Sequence, residues 1–293
     1  MLSDWEPPKS FSIFKHIQVK RIAGALGAEI TGVDLSTDLL DAVIEDLIGA
    51  LNEHHVIFFR DQDLTPKRQA AFASRFGPLI PYPMVKGLGG TDAVVPVIKN
   101  PIERANFGGL WHADTTYLEE PPMGALLYAV ELPPYGGDTL FANAHLAYET
   151  LSPSLQTYLE TLTVIQNSAK AEVAKTREDR IKDDGGESVE FMAEHPAVIT
   201  HPRTGRKGLY VNSAHTERFK ELTIEESEPI LRFLFQHLTR PEFTCRFVWT
   251  PGALVFWDNY ASQHNPINDY HGFKRVMHRV TIGGGQLGLS RQR

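Results

Sequence analysis

With 293 residues, 42% of them hydrophobic, the chain can bury a sizeable core and reads as neither a disordered nor a membrane protein. It has no apolar run of about 18 residues, so no membrane-spanning helix is expected. The net charge of −7, with no Lys/Arg-rich block, argues against nucleic acid as a partner. The acidic opening Met1-Leu2-Ser3-Asp4-Trp5-Glu6 lacks the basic-then-apolar pattern of a signal peptide, and the single cysteine, Cys245, cannot form an internal disulfide. These features fit a cytoplasmic enzyme. No repeat and no Ser/Gly linker divides the chain, so residues 1–293 read as one domain.

In chain order, Leu40, Val43, Ile44, Leu47 and Leu51 recur with helical period, and the strand-like run Val56-Ile57-Phe58-Phe59-Arg60 follows. Thr65 then suits an N-cap with Pro66 at the first helical position; Ala71, Phe72 and Phe76 form the apolar face, and Gly77 is the expected C-cap. Gly124 to Val130 reads as a strand. Gly136-Gly137-Asp138-Thr139 reads as a Gly-Gly hairpin turn entering another. From Lys170 to Glu190, 12 of 21 residues are charged. That density suits a solvated loop insertion, and an active-site flap is the sharper alternative. Thr223-Ile224-Glu225-Glu226 is a capping box opening a helix to about His237, with Pro229 expected to kink its first turns. Phe243 to Trp249, Leu254 to Trp257 and Arg275 to Ile282 are further strands, separated by Pro and Gly. Short strands so spaced predict a mainly β sandwich or jelly roll with flanking α-helices.

The chemistry concentrates in Trp111-His112-Ala113-Asp114 and Gln263-His264-Asn265-Pro266. A His-x-Asp tripeptide alone is weak, because composition predicts about 0.6 of them by chance. On an extended strand, however, His112 and Asp114 would face one side and could share an ion, and His264 follows a strand ending in polar residues, where a third ligand fits. Two imidazoles and a carboxylate on one face leave the opposite positions of Fe(II) open for a co-substrate and O2. If Arg275 to Ile282 is a strand, Arg275 and Arg279 lie on one face, ~13 Å apart at ~3.3 Å per residue. Buried arginines need anions, and that spacing suits two different anionic groups. Thr139 could offer a hydroxyl to a carboxylate held by an arginine. His54, His55, His195, His201 and His237 read as structural.

Together, Trp-His-x-Asp, the Gly-Gly-Asp-Thr turn, Trp257-Asp258-Asn259, Gln263-His264 and Arg275-x-Met277-His278-Arg279 resemble the taurine dioxygenase/TfdA family of Fe(II)/2-oxoglutarate-dependent dioxygenases. The resemblance runs from about Ile22 to Gly284. It implies a double-stranded β-helix (jelly roll, cupin-like) and makes His112, Asp114 and His264 the Fe(II) ligands. It assigns the distal carboxylate of 2-oxoglutarate to Arg275 with Thr139, and an acidic substrate head group to Arg279. The implied reaction hydroxylates a C–H bond, consuming 2-oxoglutarate and O2 and yielding succinate and CO2.

Members that use taurine carry a histidine shortly after the Phe-Gly corner and polar residues just before Trp-His-x-Asp. Here Tyr82 stands near the first position, and Asn106-Phe107-Gly108-Gly109-Leu110 precedes the motif. The expected substrate is therefore not taurine but a small carboxylate or sulfonate with an apolar or aromatic tail, aryloxyalkanoate ether cleavage included. Tyr82, Met84, Val85, Phe107 and Thr115 are its expected contacts. An alkylsulfonate or alkylsulfate dioxygenase releasing sulfite or sulfate is the alternative, and a non-redox jelly-roll metalloenzyme or a 2-oxoglutarate sensor is the alternative from another class. Subunit number, a homo-oligomer included, stays open.

Overall fold

The computed structural model describes residues 12–81, 87–106, 108–170, 190–285 and 287. The chain opens with β1 (Gln18–Arg21), β2 (Ala28–Thr31), helix α1 (Asp41–His54), β3 (Val56–Phe59), α2 (Pro66–Ser74), β4 (Leu79–Ile80) and β5 (Val94–Lys99). The middle holds β6 (Gly124–Glu131), β7 (Thr139–Asn143), α3 (Ala144–Glu149), α4 (Pro153–Leu159) and β8 (Thr163–Asn167). Then come β9 (Met192–Pro196), β10 (Val198–Thr200), β11 (Lys207–Leu209), β12 (Thr216–Phe219) and α5 (Ile224–Leu238). The last strands are β13 (Thr244–Phe247), β14 (Leu254–Asp258), β15 (Ser262–Pro266) and β16 (Arg275–Ile282).

A major sheet runs β1-β2-β3-β14-β6-β16-β4, with β5 also paired to β16, and a minor sheet runs β13-β7-β15. Every residue of β3 and of β14 is buried, because both faces of these central strands are covered and hydrophobic runs replace alternation. Between the sheets, Phe58 of β3 stacks on Phe247 of β13 with centroids 4.2 Å apart and meets Phe141 of β7 edge-on at 5.9 Å. Truncating a ring in this layer costs about 3–5 kcal/mol. On the outer face of the major sheet, Leu47, Leu51 and Phe72 from α1 and α2 share a core with Phe59 and Phe256. A third cluster gathers α3, α4 and α5 around Val164 and Phe219.

Local signals set several boundaries. Thr65 caps α2 by accepting from the Arg68 N–H, with Pro66 in the first turn, and Thr223 and Glu226 form the reciprocal capping box of α5. That helix runs unbroken from Ile224 to Leu238 through Pro229. Other expectations need correction. Leu40 is the N-cap of α1 and is 74% exposed, so the apolar stripe begins with the half-buried Val43 and the buried Ile44. Helix α2 closes at Arg75 in right-handed conformation, two residues before Gly77. The run from Phe243 begins as a 3-10 turn, Pro241–Phe243, and its strand spans only Thr244–Phe247. The Gly136-Gly137 turn joins no hairpin, because β6 lies in the major sheet whereas β7 pairs with β13 and β15 in the minor one. The turn is a crossing between sheets, and it delivers Thr139 to the space between them. Nearly all of the charged insertion lies outside the described residues, so the flap expectation does too.

Candidate metal centre and co-substrate pocket

His112 and His264 are brought together by backbone pairing. They form an antiparallel bridge in which each N–H donates to the other's carbonyl, at 3.0 and 2.8 Å. Their rings lie 4.1 Å apart. The expected strand across His112 and Asp114 does not form: His112 makes this single bridge, and Asp114 enters a turn followed by Thr115 at φ 42. Asp114 is aimed by tertiary contacts instead. Its Oδ2 accepts from Trp257 Nε1 at 3.1 Å, and its backbone N–H donates to Asn259 Oδ1, which also accepts from Trp257 Nε1. Oδ1 is thereby turned inward, 3.8 Å from His112 Nε2 and 3.7 Å from His264 Nε2.

His112, Asp114 and His264 are all buried, and their ligand atoms lie within 4.8 Å of one another; they are the one such group among the described residues. Burial lowers the pKa of both histidines, with Asp114 partly opposing, so each imidazole is neutral near pH 7 and keeps a lone pair. Only a protonated Nδ1 can serve the Leu110 carbonyl 2.7 Å away, which leaves Nε2 of His112 as the lone-pair nitrogen. Burial opposes the Asp114 charge, but Arg279, His264 and His112 outweigh it and hold the carboxyl well below the usual carboxylate range. Gly108, at φ +77, lets the preceding loop close over this site, because a Cβ there would fall 2.8 Å from His112 Cε1.

A cavity opens beside the triad, between the sheets. His112, His264, Thr139, Arg275 and Arg279 supply its polar lining, and Phe141, Trp249 and Trp257 much of its apolar wall. The two arginines meet different partners, in keeping with their spacing. Arg279 forms an ion pair with Asp114 Oδ1 at 2.8 Å. Arg275 is 6% exposed, its Cζ stands 5.5 Å over the Trp249 ring, and its Nε and Nη2 have no hydrogen-bond partner among the described residues. Those two nitrogens form one edge of the guanidinium, spaced to take both oxygens of a carboxylate. Beside it, Trp249 Nε1 donates to Thr139 Oγ1 at 3.0 Å. Because an indole only donates, the hydroxyl proton of Thr139 remains free for a further acceptor. Three inward ligand atoms, a guanidinium edge without an acceptor and a hydroxyl with a spare proton fit Fe(II) and a dicarboxylate co-substrate.

Residues 18–281 match the family model described as "Taurine catabolism dioxygenase TauD, TfdA family". The chain belongs to this family. Among TauD/TfdA relatives it is similar to an alkylsulfatase of Acinetobacter baylyi, at 34% identity over 277 residues, covering 92% of this chain and 86% of that protein. It is also 34% identical over 275 residues to an alpha-ketoglutarate-dependent sulfate ester dioxygenase of Pseudomonas putida, covering 92% and 90%. The crystal structure of a taurine dioxygenase from Burkholderia xenovorans superposes with a TM-score of 0.79 at 34% identity, covering 92% of this chain and 90% of that one. The two-sheet architecture is accordingly the TauD/TfdA double-stranded β-helix.

Of the expected substrate contacts, Tyr82, Met84, Val85 and Phe107 lie outside the described residues. Thr115 is half-buried beside Asp114 but is not part of the cavity lining. His54, His55, His195, His201 and His237 stand apart from the triad, as expected of structural histidines; His201, for example, bonds Asp258 Oδ2 at 2.9 Å. Sequence reasoning missed His215, which meets His112 edge-on at 6.2 Å and Tyr117 at 4.9 Å, and whose pKa falls to about 3, mainly through burial and then His112. It also missed the hydrogen bond of Trp249 to Thr139. Both contacts are tertiary, and no local spacing announces them.

Proposed function

We propose that the chain uses Fe(II), 2-oxoglutarate and O2 to hydroxylate a C–H bond of a small anionic substrate with an apolar tail, with His112, Asp114 and His264 as the iron ligands. The single observation that carries this reading is the placement, in one cavity, of the buried triad and the buried Arg275 edge without an acceptor. A non-redox metalloenzyme has no dicarboxylate to hold there, and a sensor needs no vacant coordination position.

When bound, iron and co-substrate supply the oxidation: 2-oxoglutarate becomes succinate and CO2, one oxygen atom of O2 entering succinate and the other the C–OH. The chain's own residues position and exclude. Arg275 and the Thr139 hydroxyl hold the distal carboxylate, which aligns the keto acid end toward the triad. Phe141, Trp249 and Trp257 keep water from the reacting volume. Trp257 Nε1 fixes Oδ2 of Asp114 and leaves Oδ1 beside the Nε2 atoms of His112 and His264, where the three would hold a metal. Arg279, paired with Asp114 Oδ1 here, would bind the anionic head of the substrate when Asp114 serves a metal instead.

Among anions, an alkyl sulfate ester is the substrate class best supported, because curated relatives at 34% identity are named for alkyl sulfate and sulfate ester chemistry. Asn106 strengthens the case against taurine: its amide is committed to the Pro266 and Ile267 carbonyls and to Tyr270, so it offers nothing to a substrate amine. Hydroxylation at the carbon bearing the ester oxygen gives a hemiacetal-type sulfate, which collapses to an aldehyde and sulfate. The test is succinate formation with Fe(II), ascorbate and 2-oxoglutarate against alkyl sulfates, alkylsulfonates, aryloxyalkanoates and taurine, with sulfate and sulfite measured in parallel. Alkyl sulfates should be turned over with equal succinate and sulfate, and His112→Ala should abolish both. Turnover of amino sulfonates alone overturns the proposal.

A further inference from the structure

Behind Arg275 of the cavity lining, two cations converge on one buried tyrosine that the mechanism above does not use. Lys99 on β5 and Arg275 on β16 are register partners, so their side chains share a face of the sheet. Tyr270, 2% exposed, lies between them. Lys99 Nζ sits 4.0 Å over the Tyr270 ring and donates to Asn268 Oδ1 at 2.7 Å. The Arg275 guanidinium lies within electrostatic reach of the Tyr270 hydroxyl, and that hydroxyl donates to Asn106 Oδ1 at 2.9 Å. Asn106 is itself anchored through Nδ2 to the carbonyls of Pro266 and Ile267, at 3.3 and 3.0 Å.

The Gly136-Gly137 turn presses on the same point. Gly137 N donates to Asp269 Oδ1 at 2.7 Å. A Cβ on Gly137, whose φ is +71, would stand 3.2 Å from two atoms of the Tyr270 ring and 3.5 Å from Arg275 Cδ. The glycine that admits the turn therefore also admits the tyrosine against the arginine. Tyr270 is held on its ring by Lys99 and Gly137 and at its hydroxyl by Asn106. Arg275 lines the cavity, and its Nε–Nη2 edge has no hydrogen-bond partner among the described residues.

We propose that Tyr270 is the positioning residue for Arg275, fixing the guanidinium edge that receives the distal carboxylate of 2-oxoglutarate and so setting selectivity for a dicarboxylate co-substrate. This rests on the assignment of Arg275 made above. Tyr270 touches neither co-substrate nor iron; it acts by restricting the arginine's rotamers and orienting its free edge.

The test is calorimetric binding of 2-oxoglutarate and of 2-oxobutanoate, which lacks the distal carboxylate, to the anaerobic Fe(II) protein. In Tyr270→Phe the ring and its Lys99 contact persist while the hydroxyl is lost. The dissociation constant for 2-oxoglutarate should rise about tenfold, as for the loss of a polar neighbour of a charged group, with that for 2-oxobutanoate unchanged. The KM for 2-oxoglutarate should rise in parallel, with kcat at saturation within about twofold. Asn106→Ala, which removes the hydroxyl's acceptor, should give the same signature at about threefold and serves if the first variant does not fold. A merely structural role weakens both keto acids alike, and an unchanged affinity ratio in the folded variants overturns the inference. If Arg275→Ala leaves 2-oxoglutarate binding intact, the assignment of Arg275 fails first; if that variant loses binding and Tyr270→Phe does not, the role of Tyr270 alone fails.

Discussion

Trp249 Nε1 donates to Thr139 Oγ1 at 3.0 Å, and so decides what the threonine can do next. With a lone pair of its hydroxyl engaged by the indole, the threonine's proton is directed elsewhere, and Arg275 is its neighbour in the cavity lining. Thr139→Val should therefore raise the KM for 2-oxoglutarate about five- to tenfold with little change in kcat. Trp249→Phe should give a smaller rise of the same kind. Steady-state kinetics with 2-oxoglutarate as the varied substrate decides this, and a fall in kcat at unchanged KM contradicts the assignment.

The ion pair between Arg279 and Asp114 yields a prediction about the metal-free protein. Removing the guanidinium leaves a buried carboxylate with only neutral neighbours, the Trp257 indole N–H and two imidazoles, at a cost of about 3 kcal/mol. Arg279→Ala should lower the melting temperature of the metal-free protein by roughly 5 °C. Added Fe(II) or Mn(II) under anaerobic conditions should raise it by more than in the wild type, because the cation replaces the lost charge. Thermal denaturation with and without metal reads both effects. Equal metal-induced shifts in the two proteins contradict the prediction.

Gly108 is predicted to be intolerant of a side chain. Its φ of +77 disfavours any L-residue, and a Cβ would press on the His112 ring at 2.8 Å. Gly108→Ala should weaken metal affinity at least about tenfold by shifting a proposed ligand. Titration with Mn(II) followed by electron paramagnetic resonance measures it directly.

Acid should destabilise the protein in a defined window. His145 is fully buried, and burial foremost, aided by Arg206 and His201 against the Lys207 carbonyl bond, lowers its pKa from 6.5 to about 4. The unfolded chain therefore binds the proton that the folded one refuses. Stability is fully present above pH 6.5 and is lost as pH falls from 6.5 toward 4, by about 2 kcal/mol at pH 5 from this residue. Burial of His215, lowered to about 3, acts with the same sign. Melting temperatures from pH 7.5 to 5 should fall steadily, and His145→Gln should flatten the slope. A variant slope equal to that of the wild type contradicts the assignment to His145.

The legible part of the site is the part whose chemistry is scarce. His112, Asp114, His264 and Thr139 could be picked out from their motifs, and Arg275 because a buried charge on an otherwise apolar strand demands a partner. The alternation in Arg275–Ile282 placed both arginines on one face, and both are buried. Capping signals at Thr65 and Thr223 set helix starts correctly because a cap is a contact across three residues. Gly77 and the Gly136-Gly137 turn misled for the opposite reason: a glycine permits a conformation without saying which sheet the next strand will join.

The sequence alone determined which side chains are candidates for the chemistry, and the motifs that carry them determined the family. Only the tertiary structure decided how they are held. His112 and His264 are joined by a backbone bridge, Asp114 is aimed by Trp257 and Asn259, Thr139 is oriented by Trp249, and Arg275 meets Tyr270. Each of these contacts, Arg275 with Tyr270 apart, links residues more than a hundred positions apart, and all of them depend on the packed crossings of a double-stranded β-helix. Local periodicity encodes the face a residue presents, whereas the partner it finds there depends on the closure of the whole fold.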